Sequence, residues 1–325
     1  MNFDGVEKIA AALLYEGYIL YPYRATAIKN RQRWNFGTLY PRAYAQAQRP
    51  QEPFRLIAEC LAVADARARF EIRIRFLQMV RRWQGSPVDA PQESRCLTDP
   101  SLGWDEAVER IWERRELRLS DLMTSPLTFA LRMEGTILPV ERGVGQIPEL
   151  RATLTVSAKT LPSGGSKIRV EFENATELPG GANARRENAL PQSLVSAHVL
   201  LGLTGGEFVS LLDPGEMYRE SVAACCSVGV FPVLAGEAPD RSVMLCSPII
   251  LYDYPKVAAE SAGDFFDGTE MDEMLTLRVL TLTDAEKQEM REDDPRGRQI
   301  LERTEALTAE SMLKAHGVIR AMREI

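Results

Sequence analysis

Two runs of alternating apolar and polar residues, joined by a glycine pair, constrain the fold of this chain most strongly. The runs surround the turn sequence LPSGG. A period of two residues is typical of a strand with one buried face, and two glycines between such strands indicate a tight turn. The sequence therefore predicts an antiparallel hairpin. The residues predicted to face one another are Leu150, Ala152, Leu154 and Val156 on one strand and Ile168, Val170 and Phe172 on the other.

Several other segments carry strand patterns. Phe70 to Phe76 alternates apolar and charged residues, and the preceding segment RLIAECLAVADA is apolar enough to be its partner strand, although a helix also fits. Gly205 and Gly206 predict a second hairpin within SAHVLLGLTGGEFVSLLDP. The segment RSVMLCSPIILYDY predicts a central strand that Pro248 interrupts. The segment WDEAVERIWERRELRLSDL fits a helix in its first half and a strand in its second.

Helix signals concentrate at the two ends of the chain. Asp4 to Leu14 predicts an amphipathic helix with Asp4 as its cap, and Asp213-Pro214 predicts the start of a helix in PGEMYRESVAACCS. Thr283 with Glu286 forms a capping box, Asp294-Pro295 opens another helix, and Thr308 starts a third. We therefore predict an α+β fold: an antiparallel, β-rich, sandwich-like body with an N-terminal helix and a C-terminal group of helices. The predicted division is 1–266 for the body and 267–325 for the helical segment.

Composition limits the functional classes. The 325 residues are 45% hydrophobic and carry a net charge of −7, which disfavours a general polyanion binder. No run of about 18 apolar residues occurs, and the start of the chain has no secretory signal pattern, so we predict a cytoplasmic protein without a membrane partner. The five cysteines are irregularly spaced and predict reduced, mostly buried thiols.

The sequence contains few groups suited to catalysis or metal binding. His198 lies in an apolar strand and His316 in the terminal helix, and no nucleophile elbow or phosphate-binding motif accompanies them. We predict a satisfied core imidazole at His198, an exposed one at His316, and neither a metal site nor a cofactor. An acidic cluster is interpreted as the capped first turn of a helix. Its members are Asp264, Asp267, Glu270, Asp272 and Glu273.

The segment from Tyr15 to Tyr44 differs from the rest of the chain. It holds six of the nine tyrosines and five basic residues, with Glu16 as its single acidic residue. Tyrosine and arginine dominate protein–protein hot spots, but the same residues could pack on a sheet or stack nucleic-acid bases. We predict a partner-binding surface here. Its residues are Tyr21, Tyr23, Arg24, Lys29, Arg31, Arg33 and Trp34.

Three stretches carry a resemblance to a known family. They are LLYEGYILYPYRATAIKNRQRWNFGTLYP, GGEFVSLLDP and the region from CSPIILYDYP to TLTDAEKQEM, of which NRQRWNFGTLYP and SPIILYDYP are the most specific. The chain resembles, from about residue 13 to 320, an uncharacterised family of bacterial proteins encoded beside uptake nickel–iron hydrogenase genes of the actinobacterial type. The resemblance implies an accessory or assembly role. We do not predict metal delivery, because this chain lacks the clustered cysteine and histidine residues expected of a factor that handles nickel or iron.

Three functional hypotheses follow. The first is a non-enzymatic accessory protein that binds a partner polypeptide, such as a hydrogenase subunit or maturation factor. The second is a carboxylate-based hydrolase of a sugar-like substrate, because paired carboxylates suffice as acid and base. Its candidate residues are Asp253, Asp264, Asp267 and Glu270. The third is single-stranded nucleic-acid binding through residues 15–44, which the acidic net charge disfavours.

Overall fold

A curled antiparallel sheet and a group of C-terminal helices form two units in the computed structural model of the chain. The structure describes residues 3–16, 23, 36–83, 107–140, 143–256, 272–293 and 295–307. Of these, residues 3–14, 36–83, 107–140 and 143–255 form the first unit, and the others belong to the second. Helix makes up 28% and strand 41% of the structure, which confirms the predicted α+β class and its sandwich-like body.

The first unit contains eleven described strands and five described α-helices. The strands are β1 Arg55–Met79, β2 Arg81–Trp83, β3 Ala107–Arg118, β4 Leu127–Met133, β5 Thr136–Val140, β6 Gly143–Ile147, β7 Leu150–Thr160, β8 Ser166–Asn174, β9 Val195–Phe208, β10 Phe231–Leu234 and β11 Val243–Ser247. The helices are α1 Asp4–Leu14, α2 Arg42–Ala47, α3 Leu119–Thr124, α4 Arg186–Ala189 and α5 Arg219–Ala223. Short 3-10 turns span Gly181–Asn183, Leu190–Gln192 and Glu216–Tyr218.

Strand β1 organises the main sheet. The strand order is β10-β11-β9-β1-β8-β7-β4, and β3 also pairs with β1; a separate small sheet has the order β2-β6-β5. The first part of β1, Arg55 to Ala62, pairs with β8, and its last part, Arg69 to Met79, pairs with β3. Strand β9 pairs with both parts of β1. One 25-residue strand therefore joins two sets of neighbours.

The structure confirms the predicted hairpin of β7 and β8. Leu154 pairs with Phe172 and Val156 with Val170, in the register that the apolar alternation requires. These four side chains are fully buried. The polar residues between them point to the opposite face, because successive side chains of a strand alternate.

The predicted second hairpin at Gly205-Gly206 is wrong, because β9 continues through both glycines. Between two paired stretches, β1 advances five residues, from Ala64 to Arg69, while β9 advances two, from Gly206 to Thr204. The glycines allow the backbone of β9 to lie close to β1 at this bulge. A Cβ atom on Gly206 would lie 2.5 Å from the Cβ of Ala64, so a side chain has no room.

Three other sequence interpretations need correction. The segment RLIAECLAVADA is neither a helix nor a partner strand, because it is the first part of β1. The ambiguous segment after Trp104 divides into strand β3 and helix α3. The helix predicted after Asp213-Pro214 is reduced to a 3-10 turn and the five-residue α5. In contrast, β11 ends at Ser247, directly before Pro248, as predicted.

The buried side of the sheet forms one large apolar core. Phe70, Ile72, Ile74 and Phe76 of β1 are completely buried in it, together with the inner residues of β7, β8 and β9. A smaller core lies on the outer face of β9 and β11, where α1 covers the sheet. The α1 residues in that core are Phe3, Val6, Ile9 and Ala10. Helix α1 has the bounds that the sequence predicted.

Ion pairs also attach α1 to the sheet. Glu7 contacts both Arg73 and Arg75 of β1, with an oxygen–nitrogen distance of 2.9 Å to Arg75. The side chain of Arg75 is only 4% exposed and also contacts Glu109 of β3. Each of the two guanidinium groups contacts one carboxylate on α1 and one on β3. The positive charges of β1 that α1 covers are therefore paired with negative charges.

The second unit contains helices α6 Asp272–Leu280, α7 Asp284–Asp293 and α8 Pro295–Glu305. The Thr283–Glu286 capping box is confirmed: the Thr283 backbone N–H donates to Glu286 Oε2 at 2.9 Å. Pro295 opens α8 as predicted, whereas Thr308 and His316 lie outside the described residues. The predicted division at 266/267 also lies outside them and stays a prediction. None of the helices that the structure describes has the length and apolar character needed to cross a bilayer.

We predict opposite stability effects for two glycine-to-alanine changes in the first unit. Gly206→Ala inserts a methyl group against Ala64 and the Val63 carbonyl oxygen, so the β1 bulge must shift. We expect the free energy of unfolding to fall by about 1–3 kcal/mol, the usual cost of overpacking. Urea unfolding followed by circular dichroism measures the change.

Gly5→Ala is the matched control for that experiment. Gly5 lies in α1 and has no heavy atom within 4 Å of an added Cβ. Alanine favours helix over glycine by up to about 1 kcal/mol, so this variant should be as stable as the wild type or more stable. Equal stability of Gly206→Ala and the wild type would contradict the proposed close approach of β1 and β9.

Candidate functional site

The sequence-predicted partner-binding residues lie almost entirely outside the described residues. Tyr21, Arg24, Lys29, Arg31, Arg33 and Trp34 are in that group. Tyr23 is described and belongs to the second unit. Its side chain has no solvent exposure, so Tyr23 itself offers no accessible contact in this structure. For the other six residues, partner binding stays a prediction.

The carboxylates proposed for hydrolysis are not brought together among the described residues. Asp253 accepts a hydrogen bond from the Ser210 hydroxyl at 2.5 Å and another from the Leu234 backbone N–H at 2.8 Å. One oxygen therefore holds the Leu234 backbone directly, and the other holds the Ser210 hydroxyl, which accepts from the Leu212 and Asp213 backbone N–H groups. Asp264, Asp267 and Glu270 lie outside the described residues.

His198 is buried on β9, as the sequence predicted, but it is only partly satisfied. Its Nδ1 lies 2.8 Å from the Ser196 carbonyl oxygen, and its Nε2 has no hydrogen-bond partner. Burial lowers the pKa of His198 to about 4, so the imidazole is neutral at physiological pH. In the described part of the chain, no three His, Cys, Asp or Glu residues are grouped as metal ligands.

The described thiols are Cys60, Cys225, Cys226 and Cys246, and all four are free. Cys60 and Cys246 are completely buried, whereas Cys225 is half-buried and Cys226 is exposed. Burial raises the pKa of Cys60, Cys225 and Cys246. A raised pKa keeps a thiol protonated and weakly nucleophilic, so these three are not activated for covalent chemistry.

Two arginines and two aromatic rings of β3 and β4 form the most distinctive described surface. Arg110, Trp112 and Arg114 pair with Phe76, Ile74 and Ile72 of β1. Directly opposed residues of antiparallel strands share a face, so the three β3 residues lie on the core-facing side of the strand. They alternate along β3, with the indole between the two guanidinium groups.

Phe129 of β4 completes this surface. Its ring centroid lies 5.6 Å from that of Trp112, although β3 and β4 are not paired strands. The Arg114 guanidinium carbon lies 5.7 Å from the Phe129 ring centroid, within the range of a cation–π contact. We call Arg110, Trp112, Arg114 and Phe129 the β3–β4 surface.

Buried Gln78 positions Arg110. The Gln78 side chain is fully buried, donates to the Pro148 carbonyl oxygen at 2.7 Å and accepts from Arg110 Nε at 2.9 Å. Arg110 Nη2 also lies 3.5 Å from the Glu134 carbonyl oxygen. Burial lowers the pKa of Arg110. The pKa of an arginine nevertheless lies so far above neutral pH that the guanidinium group stays charged. The guanidinium is thus a half-buried cation held by neutral groups.

Neither arginine of the β3–β4 surface is neutralised by a described carboxylate. No ion pair of Arg110 or Arg114 occurs within 4.0 Å among the residues that the structure describes. The glutamates of β3 lie on its other face, where Glu113 contacts Arg73 at 2.9 Å and Arg115 at 3.1 Å. Hydrogen bonds from Arg115 and Arg73 lower the pKa of Glu113. The two faces of β3 are therefore electrostatically different.

The sequence contained a signal for this surface. The residues Arg110, Trp112 and Arg114 recur at every second position of the segment VERIWER. That spacing places them on one face of a strand, whereas a helix would distribute them around its circumference. The surface was missed because the first half of this segment, with Val108, Ile111 and Trp112, fitted a helix.

A buried carboxylate, that of Glu59, lies in the first part of β1. Its side chain accepts from Lys167 Nζ at 2.6 Å, Arg169 Nη1 at 2.8 Å and the Cys226 backbone N–H at 2.8 Å. The residue is 5% exposed. Glu59 thereby fixes the Cys225–Val228 segment against β1, which is a structural role.

Comparison with known proteins adds no family assignment. A scan against models of known protein families found no match, and a search of curated proteins likewise found none. The resemblance to the hydrogenase-associated family therefore stays a prediction from the sequence.

We predict a pH-dependent stability loss for Glu59→Gln. Burial raises the pKa of Glu59, but the hydrogen bonds from Cys226, Lys167 and Arg169 outweigh burial and hold the pKa below its usual 4.5. A depressed folded-state pKa adds stability above the unfolded-state pKa, and this contribution is lost as pH falls through the folded-state value. At neutral pH we expect Glu59→Gln to cost about 1–3 kcal/mol.

Urea unfolding of both proteins across the acid range measures this effect. The difference in the free energy of unfolding should shrink as pH falls below about 4.5. Glu177→Gln is the control, because Glu177 is exposed and makes no ion pair in the described structure. A wild-type advantage that stays constant down to the lowest pH would show that the charge of Glu59 is not the cause.

Proposed function

We propose that this protein is a non-enzymatic accessory protein that binds a partner polypeptide through the β3–β4 surface. The observation that carries the proposal is the pair of arginines, Arg110 and Arg114, that flank Trp112 and have no carboxylate partner among the described residues. Tryptophan and arginine dominate binding energy at protein interfaces, because they combine large rigid area with directional donors.

The partner that we propose is a subunit or maturation factor of a nickel–iron hydrogenase. The support for this identity is the resemblance carried by NRQRWNFGTLYP and SPIILYDYP. The segment with Arg24, Lys29, Arg31, Arg33 and Trp34 is a second proposed contact region, supported by its composition.

We further propose that the protein works in the cytoplasm. The free state of the four described cysteines supports this location, because thiols persist in a reducing compartment.

Co-purification from the native host tests the proposed function. Affinity-tagged protein should recover hydrogenase subunits or maturation factors, quantified by mass spectrometry. Arg114→Glu should reduce that recovery about tenfold or more, because losing a hot-spot residue costs about 2 kcal/mol or more. Arg114 is exposed, so the variant should keep its fold.

Arg118→Glu is the matched control. Arg118 is an exposed arginine at the end of the same strand and pairs with Arg69, which points away from the core face. It should recover as much partner as the wild type. Recovery of the wild-type protein only as a free monomer, with unchanged hydrogenase activity in a deletion strain, would refute the proposed function.

A further inference from the structure

We propose that the β3–β4 surface binds an extended acidic segment of its partner, which adds as a strand to the unpaired edge of β3. The segment carries carboxylates four residues apart, with an apolar residue midway between them. This inference rests on the proposed function and specifies the chemistry of the partner.

The unpaired edge of β3 supports an extended ligand. Strand β3 pairs with β1 along one edge. Along its other edge, no backbone hydrogen bond to any residue occurs in the described structure. An open edge of this kind offers a row of N–H and C=O groups, and peptide recognition by strand addition uses such rows.

The spacing of the side chains defines the sequence of the ligand. Arg110 and Arg114 are four residues apart on one face of β3, a separation of about 13 Å along a strand. An added strand has the same period, so its residues i, i+2 and i+4 lie beside Arg110, Trp112 and Arg114. Carboxylates at i and i+4 would neutralise the two cations, and an apolar residue at i+2 would contact the indole.

The geometry of the arginines favours carboxylates. Arg110 is held by Gln78, and Arg114 lies beside the Phe129 ring. A guanidinium held in this way keeps donors available for planar, bidentate contact with a carboxylate, and its orientation is largely set before binding. A nucleic-acid strand is less suited, because two arginines make a small basic site on a chain of net charge −7.

Fluorescence anisotropy with purified full-length protein and synthetic peptides tests the inference. The probe is a labelled peptide with the core Glu-Thr-Leu-Thr-Glu, flanked by threonines, titrated at low salt. Its controls replace both glutamates by glutamine, or move the second glutamate one residue closer. We expect each control to bind about tenfold more weakly or worse, because charged hydrogen bonds are lost or misplaced.

Two protein variants locate the binding. Arg114→Gln should weaken binding of the acidic peptide about tenfold or more, whereas Arg118→Gln should not change it. Circular dichroism confirms that both variants are folded. Analytical ultracentrifugation tests whether a second copy of the chain occupies the edge, in which case Arg114→Gln would dissociate a dimer and the inference would be wrong.

The outcomes separate this inference from the proposed function. Equal binding of the glutamate and glutamine peptides, or no binding of either, would overturn the inference that the ligand is an acidic segment. The proposed function would stand in that case if co-purification succeeds. Tighter binding of a labelled single-stranded oligonucleotide than of the acidic peptide also overturns it, in favour of nucleic acid. Peptide binding with the expected charge and spacing dependence, but without hydrogenase co-purification, supports the site and refutes the hydrogenase partner.

Discussion

The continuous pairing of β1 with three other strands is the constraint on which the first unit depends. Because β8 and β3 pair with successive parts of β1 while β9 pairs with both, one strand determines the relative positions of the hairpin, α1 and β3. The bulge opposite Gly205 and Gly206 lets β9 follow β1 where its register shifts. Any side chain in place of Gly206 would press on Ala64 and force the bulge to shift.

The charge distribution of β3 follows from that arrangement. Its outer glutamates contact Arg73 and Arg75 of β1, which also contact Glu7 of α1. On this face of β3, the carboxylates of Glu109 and Glu113 are thus already paired with arginines. Arg110 and Arg114 on the other face have only neutral groups and a ring as described neighbours. Because side chains alternate along β3, the Glu109 and Glu113 carboxylates lie on one face and the β3–β4 surface on the other carries two arginines.

Local sequence patterns predicted the structure correctly where residues that are neighbours in sequence are also neighbours in space. The β7–β8 hairpin, helix α1 and the Thr283 capping box were predicted correctly because turn chemistry, periodicity and caps act within a few residues. The Gly205-Gly206 prediction failed because the glycines meet the distant residue Ala64. Arg110, Trp112 and Arg114 were missed because pairing with β1 decides between helix and strand for their segment.

The sequence by itself determined the fold class, the N-terminal helix, the helices that begin after Thr283 and at Pro295, and one hairpin. It also determined that the chain contains only two histidines and irregularly spaced cysteines. Only the tertiary structure decided that β1 is a single strand, that Glu59 and Asp253 hold backbone segments in place, and which arginines have no carboxylate partner within the described part of the chain. The physical reason is that compensation is a property of contacts. Every arginine carries the same charge in a sequence, but strand pairing decides which carboxylates come within reach of it.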